Sequence, residues 1–222
     1  AQETYSPTET ITGTFIGKTA PLRDFPVMTE IFDDTDDMIV VPHHANVSFE
    51  ENTTTSETII PNLQTEPGSI VAMPIEQNFI GASQNESGFL PPDPTGAVGP
   101  NHYVHSVNSL VKIFSKTGTL LVGPLSTFLG IPSNNGDPIV MYDQLADRWF
   151  VSEFGALGAD LGLAIGVSET NDPTGAYNVW QFDMGAFPDY PHYGIWHDGY
   201  YGTANYAGLN KTAAFVMERD AM

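Results

Sequence analysis

The chain has 222 residues, of which 41% are apolar, so it is long enough to bury a substantial core. Its 27 acidic residues outnumber 7 basic ones, and the formal charge of −20 at pH 7 argues against nucleic acid or an anionic membrane as a partner. The absence of cysteine excludes disulfides, thiol catalysis and cysteine-ligated metals. No apolar run approaches the roughly 18 residues of a membrane helix, so no membrane span is predicted.

The first four residues, Ala-Gln-Glu-Thr, lack an initiator methionine and read like the mature end that signal-peptide cleavage leaves. High acidity, few lysines and many Thr, Asn and Gly residues agree with this interpretation. We therefore predict a secreted or cell-surface, extracellular protein. The alternative is that the sequence was simply trimmed at this position.

Residues 1–70 are rich in Thr, Glu and Pro and differ from the rest of the chain. Short strand-like islands at 10–16, 38–41 and 58–60 are separated by acidic and polar runs. A segment of this kind cannot bury enough surface to fold alone, but its islands can add as strands to the edge of a neighbouring sheet. We predict an extended, acidic N-terminal arm rather than a domain.

Residues 71–222 contain three variations on one unit, at 93–108, 137–154 and 189–206, which begin 44 and 52 residues apart. Each opens with Asp near a proline, continues through a short apolar segment and a turn, and enters a strand led by an aromatic residue. A period of roughly 40–50 residues with four short strands is typical of a β-propeller. We therefore predict an all-β fold: an incomplete β-propeller of about three four-stranded blades, near residues 93–135, 137–183 and 189–222.

The predicted strands follow from alternating apolar residues and turn signals, and no 3.6-residue period predicts a long helix. Turns are expected at 116–118 and at 172–175. The predicted strands are 75–81, 103–109, 110–115, 119–122, 139–142, 149–154, 163–168, 177–182, 194–197, 200–206 and 212–218. Because a propeller closes with about four to eight blades, either further blades belong to the natural protein or the open edges are covered in another way.

The residue pattern of several segments in these blades resembles that of a known protein family. The segments that carry the resemblance are 78–81, 91–104, 136–143, 147–149 and 168–175. They are similar to a family of large secreted bacterial proteins with a sialidase-like or BNR-like β-propeller, many of which end in a sorting domain of the Bacteroidota type IX secretion route. The resemblance covers residues 75–222 and, thinly, 15–24. It implies a secreted propeller and is nearly silent on activity, because members are mostly uncharacterised.

Sialidase-like propellers that hydrolyse sugars use three arginines, an acid/base and a Tyr/Glu pair. This sequence offers only Arg23, Arg148 and Arg219, of which the first lies in the arm. We therefore predict no arginine clamp and name no catalytic residue.

Three aspartates, Asp93, Asp137 and Asp189, occupy similar places in the three repeats. One interpretation is structural, since an Asp before Pro can accept backbone N–H bonds and hold a blade corner. The other is a ring of carboxylates that binds a structural Ca²⁺ ion. His102 and His105 are three apart and should diverge on a strand, so a histidine metal site is not expected.

The aromatic residues mostly lead or alternate along strands, and we predict that they pack between blades, while exposed members could stack on sugar rings. The expected function is a scaffold for binding, adhesion or extracellular assembly. Its expected partners are an extracellular glycan or protein ligand, or further copies of the chain through open sheet edges and the arm. The alternative is a glycan-active hydrolase or lyase whose remaining catalytic residues lie in blades absent from this chain.

Overall fold

The structure is a computed structural model that describes residues 7–29, 39–40, 75–131, 135–155 and 162–222. The regular secondary structure of these residues is almost entirely β-strand, with one four-residue α-helix, α1 (Gln84–Ser87), and two short 3₁₀ helices at Leu22–Asp24 and Arg219–Ala221. The strands are β1 (Thr14–Lys18), β2 (Ile39–Val40), β3 (Phe89–Leu90), β4 (Thr95–Val98), β5 (His102–Val107), β6 (Leu110–Ser115), β7 (Leu120–Leu125), β8 (Ile139–Asp143), β9 (Arg148–Phe154), β10 (Gly162–Ser168), β11 (Tyr177–Asp183), β12 (Pro188–Ile195), β13 (Gly199–Tyr206) and β14 (Lys211–Glu218). The predicted all-β class is confirmed.

Three antiparallel sheets follow one another along the chain, and none of them closes on itself within the described ranges. The first sheet has the order β4-β5-β6-β7, and the third has the order β12-β13-β14. The second sheet runs β8-β9-β10-β11 and gains β1 as a fifth strand. In each sheet the strands pair in sequence order, which gives three successive meanders.

One N-terminal island adds to the edge of a neighbouring sheet, as predicted, whereas another forms a separate two-stranded sheet. β1 pairs antiparallel with β11, and the Phe15 ring lies 5.3 Å from the Trp180 ring. At the end of this pairing, Lys18 Nζ lies 2.9 Å from a carboxylate oxygen of Glu169. β2 pairs with β3 in parallel. The predicted island at 58–60 lies outside the described residues.

The predicted strand at 75–81 is wrong, because these residues carry no regular structure. Ile75 and Ile80 are 81% and 88% exposed, so the segment has no buried face to pair. Phe79 packs, with its ring 5.1 Å from Phe114 and 6.0 Å from Tyr103 of the first sheet, and Gly81 O accepts a hydrogen bond from Lys112 Nζ at 3.1 Å. The segment is therefore held by one ring and one lysine rather than by a backbone ladder.

The core is built in two layers, one on each side of the second sheet. Strand β9 is buried along nearly its whole length, because its side chains alternate in direction and pack into both layers. Trp149 and Val151 belong to the cluster shared with the first sheet, whereas Phe150 and Phe154 belong to the cluster shared with the third. Because successive strand residues point to opposite faces, this one strand joins all three sheets. The buried Trp149, Phe150 and Tyr200 agree with the predicted packing of aromatics between units.

A buried carboxylate lies in the first of these layers. Glu153 on β9 is fully buried, and it accepts hydrogen bonds from Phe128 N (2.8 Å) and Thr127 Oγ1 (2.7 Å), which follow β7. These donors favour the ionised form, but burial outweighs them and raises the pKa of Glu153 from 4.5 to about 7. The first and second sheets are therefore joined by a group that titrates near neutral pH.

We predict that stability falls as pH rises across this window. Because the folded pKa of Glu153 exceeds its unfolded value, the native state binds more protons between pH 4.5 and about 7. The free energy of unfolding should drop by up to about 3 kcal/mol over that range and then level off. Urea denaturation as a function of pH measures this.

The Glu153→Gln variant should remove this part of the pH dependence, since an amide does not titrate. Its oxygen can accept from Phe128 N, and its NH2 group can donate to the Thr127 hydroxyl oxygen. Glu76→Gln, at an exposed position, is the matched control and should follow the wild type. Identical pH profiles for wild type and Glu153→Gln would contradict the assignment.

Candidate functional site

Three residues near the starts of the sheets share one backbone geometry, and we call these positions the corners. Asp93, Asp137 and Tyr190 have φ values of 37°, 44° and 53°, and each directly precedes a proline. The ladder begins two residues later at Thr95 and at Ile139, whereas in β12 Pro188 and Asp189 are already paired and the ladder resumes at His192 after an irregularity. Asp93 and Asp137 therefore precede their sheets, and Tyr190 shares their backbone conformation from within β12.

The third corner lies at Tyr190, one residue after Asp189, the position that the sequence predicts. Asp189 was grouped with Asp93 and Asp137, but Tyr190 holds the left-handed conformation, and Asp189 pairs with Asn205 across β12 and β13. Asp189 lies two residues before Pro191, whereas Asp93 and Asp137 directly precede their prolines. Asp and Asn adopt left-handed φ with little penalty, whereas a bulky side chain there costs roughly 1–2 kcal/mol.

Hydrogen bonds join the three corners in series. Asn108, at the end of β5, is fully buried, and its Nδ2 donates to Asp93 Oδ2 (2.8 Å) and to Pro91 O (2.9 Å). Its Oδ1 accepts from Asp137 N at 2.7 Å. Asp137 Oδ2 in turn accepts from Tyr190 N at 3.2 Å. We call this series, Asp93–Asn108–Asp137–Tyr190, the corner chain.

The corner chain shows what two of the predicted site residues do. The Asp137 carboxylate accepts a backbone N–H bond from Tyr190, of the kind that the structural interpretation of the sequence expected, whereas the Asp93 carboxylate accepts from the side-chain amide of Asn108. Among the described residues, no three His, Asp or Glu side chains are grouped so that they could hold a metal ion. Structural Ca²⁺ at Asp93, Asp137 and Asp189 stays a prediction.

The histidines of the first sheet face separate surroundings. His102 Nε2 lies 4.0 Å from Asp172 Oδ1, whereas His105 Nδ1 lies 3.3 Å from the Tyr103 hydroxyl. Burial, with a contribution from the Lys112 charge, lowers the pKa of His105. These two side chains therefore do not converge on a shared ligand position.

A second buried carboxylate, Asp143, joins the second and third sheets. Its Oδ1 accepts from Leu145 N (2.8 Å) and Ala146 N (3.0 Å), which caps the β8–β9 turn. Its Oδ2 accepts from the Tyr200 hydroxyl at 3.0 Å and lies 3.9 Å from Arg219 Nη1. Burial and the Asp143 charge raise the pKa of Tyr200, so its hydroxyl acts as a fixed donor near neutral pH.

Two of the three arginines meet beside this carboxylate. Arg148 and Arg219 line a cavity of about 320 Å³ together with Tyr200, whereas Arg23 is not among the lining residues. Arg148 Nη1 donates to Asp147 O at 2.8 Å, and Arg219 approaches Asp143. Within the described structure Arg148 binds the backbone of the β8–β9 turn, and Arg219 lies beside the buried Asp143 carboxylate. The three arginines therefore do not form a triad.

An apolar cleft of about 770 Å³ lies between the second and third sheets. One wall is the segment 7–11, a second includes Trp180 and Phe182, and a third is formed by five consecutive residues of β14, 214–218. Over the described ranges β14 pairs only with β13, so this cleft follows a free strand edge. We call it the edge cleft. Its only charged lining residues are Glu9 and Glu218.

Comparison of the chain with protein-family models, with curated proteins and with solved structures gives no match. The resemblance of the motif segments to secreted sialidase-like propellers therefore stays a prediction. In the part of the chain that the structure describes, no helix is long and apolar enough to cross a membrane.

We predict that Asn108→Ala destabilises the protein by about 2–3 kcal/mol. The substitution leaves the Asp137 N–H and the Asp93 carboxylate without their partner in a buried place, and such unsatisfied groups are costly. Urea denaturation measures the loss. Asn101→Ala, at an exposed position between β4 and β5, is the control and should change stability by less than about 0.5 kcal/mol. Equal effects of the two substitutions would show that the corner chain is not what holds the sheets.

Proposed function

We propose that the chain forms three consecutive blades of an incomplete β-propeller and serves as a secreted or cell-surface scaffold for binding, adhesion or extracellular assembly. The sheet arrangement supports the propeller. The first strands of successive sheets are neighbours, since β4 contacts β8 and β8 contacts β12. In a propeller the blades are arranged radially around a central channel, so such contacts are expected between the innermost strands. The corner chain joins the residues before β4 and β8 to Tyr190 in β12.

The edge cleft is the observation that carries the binding and assembly part of the proposal. A strand edge offers unpaired N–H and C=O groups, and an apolar groove beside it can take the side chains of an added strand. The chain already uses this mode once, because β1 is added to β11 with Phe15 against Trp180. A strand from another copy or from a protein partner would extend the third sheet in the same way.

The ionisable groups in the described sheets also favour a scaffold over a catalyst. Glu153 is held between two sheets, and Asp143 is enclosed by a turn, Tyr200 and Arg219. Each has a structural partner, and no observation in the described residues favours the glycan-active hydrolase or lyase that the sequence left as the alternative.

We predict concentration-dependent self-association through β14. The mass measured by light scattering after size exclusion should rise above the 24.1 kDa of one chain as concentration increases. Raising the salt concentration should strengthen association, because it screens the repulsion between copies of charge −20. Val216→Lys should keep the protein at 24.1 kDa, because Val216 is 56% exposed on the edge cleft and a lysine on a strand edge opposes pairing.

The matched control is Leu145→Lys, which places the same charge on a 61% exposed leucine in the β8–β9 turn. This variant should associate like the wild type. A mass of 24.1 kDa at every concentration and salt, or the same loss in both variants, would contradict assembly through the edge cleft.

A further inference from the structure

The third sheet presents aromatic residues on the face that points away from the second sheet, which we call the outer face. Tyr200 packs against Phe150 of the second sheet, with ring centroids 4.7 Å apart, whereas Tyr201 next to it on β13 is 45% exposed. Ile195, at the end of β12, packs into the buried cluster, whereas Trp196 next to it is 61% exposed. Because successive residues point to opposite faces, both exposed rings belong to the outer face.

An open slot lies between these two residues, at Gly194. Gly194 is the partner of Tyr201 across β12 and β13, and Trp196 is two residues further along. A Cβ atom placed on Gly194 would meet nothing within 4 Å beyond its chain neighbours. The Trp196 N–H donates to Gly199 O at 3.0 Å, which fixes where the indole leaves the backbone. The floor of the slot is therefore bare backbone, with an aromatic residue on two sides.

Both aromatic side chains have partners that hold them in position. The Tyr201 hydroxyl donates to the Asp198 carboxylate, with 3.2 Å to each oxygen. The Trp196 ring contacts the His197 ring, with centroids 5.5 Å apart. A ligand that enters the slot therefore meets rings that are already placed, which reduces the ordering cost of binding.

We propose that the slot binds a basic, proline-rich peptide segment in the polyproline II conformation, with a proline ring over Gly194 between Trp196 and Tyr201. Aromatic-lined grooves take proline rings of such segments. A polyproline II segment is extended before it binds, so it loses little conformational entropy on a shallow surface. Its backbone has no internal hydrogen bonds, so the Trp196 indole N–H can donate to one of its carbonyls.

The charge around the slot selects a basic partner. Asp198 lies in the same hairpin as Trp196, and Glu218 is the partner of Gly199 at this end of the sheet. Both carboxylates are exposed, and they and the total charge of −20 attract Lys or Arg residues beside the prolines. A neutral sugar needs donors as well as acceptors around its hydroxyls, whereas a carboxylate only accepts. The slot therefore suits the peptide better than a glycan.

The inference rests on the proposed function in one respect, since it names a partner of a binding scaffold. It concerns a different surface from the assembly proposal. Tyr201 lines the edge cleft as well, but Gly194 and Trp196 do not. Variants at these two positions therefore separate peptide binding from self-association.

The test is fluorescence anisotropy of the whole chain with a labelled peptide that has five prolines between two pairs of arginines. The reference peptide has alanines in place of the prolines and the same charge. The proline peptide should bind at least about tenfold more tightly than the reference. Added salt should weaken its binding, because salt screens the arginines from the carboxylates.

Two substitutions address the slot directly. Gly194→Val should weaken peptide binding at least about tenfold because the side chain fills the slot, and Trp196→Ala should do the same because one wall is lost. Thr212→Val is the matched control, since it places valine at an exposed position of the same face, on β14, and it should bind like the wild type.

Thermal unfolding separates a filled slot from a damaged fold. Gly194→Val should keep or raise the melting temperature, because its Cβ enters open space, its φ is not left-handed and β-branched residues suit strands. A lower melting temperature would overturn the proposal, because the slot would then be occupied in the folded protein. Equal binding of the two peptides, or unchanged peptide binding by Gly194→Val or Trp196→Ala, would also overturn it.

A glycan is the other outcome that the experiment can return. Retardation in gels that contain mannan or mixed-linkage β-glucan, lost in Trp196→Ala and without peptide binding, would overturn the peptide assignment. Self-association of Gly194→Val should match the wild type and strengthen with salt, in the opposite direction to peptide binding. Failure here therefore leaves the assembly proposal to its own test.

Discussion

The buried side-chain amide of Asn108 fixes how the sheets are placed relative to one another. Each sheet starts beside a proline, which has no N–H to offer the ladder, so the corners need partners from outside the strands. Asn108 meets this need because its amide carries both donors and acceptors: it donates towards Asp93 and Pro91 and accepts from Asp137 N. With Asp137 bound to Tyr190 N, the starts of β4, β8 and β12 are held in succession. The strands that follow must then lie side by side.

This placement is what allows β9 to serve two layers at once. Trp149 and Val151 pack towards the first sheet, and Phe150 and Phe154 pack towards the third. Each layer also contains a polar contact across the sheets. Glu153 binds the loop after β7, and the hydroxyls of Ser152 and Tyr193 share a hydrogen bond of 2.8 Å. Apolar packing alone tolerates a sliding interface, whereas buried polar pairs of this kind are satisfied in only one register.

The sequence allowed most strands to be predicted, because alternation and β-branched residues are local signals. It did not allow β4 to be predicted, since Thr-Gly-Ala-Val lacks large apolar side chains. It predicted a false strand at 75–81, a segment that is held by the Phe79 ring and by the bond from Lys112 to Gly81 O and not by strand pairing. For the candidate site, the sequence predicted the Asp-Pro corners at Asp93 and Asp137, but it placed the third corner at Asp189 instead of Tyr190. The roles of Asn108 and Glu153 could not be predicted, because their partners lie 15 or more residues away in the sequence and no local pattern identifies such a pair.

The corner chain also explains why the third corner differs from the first two. The carboxylates of Asp93 and Asp137 are short enough to accept a bond beside their own backbone, and both do so. A tyrosine cannot, because its hydroxyl lies at the far end of a ring that is 65% exposed. The third corner therefore donates one hydrogen bond to the corner chain through its backbone N–H, while its side chain contributes none. Tyr190 thus carries the backbone strain of a corner without the side-chain hydrogen bond that Asp93 and Asp137 each accept.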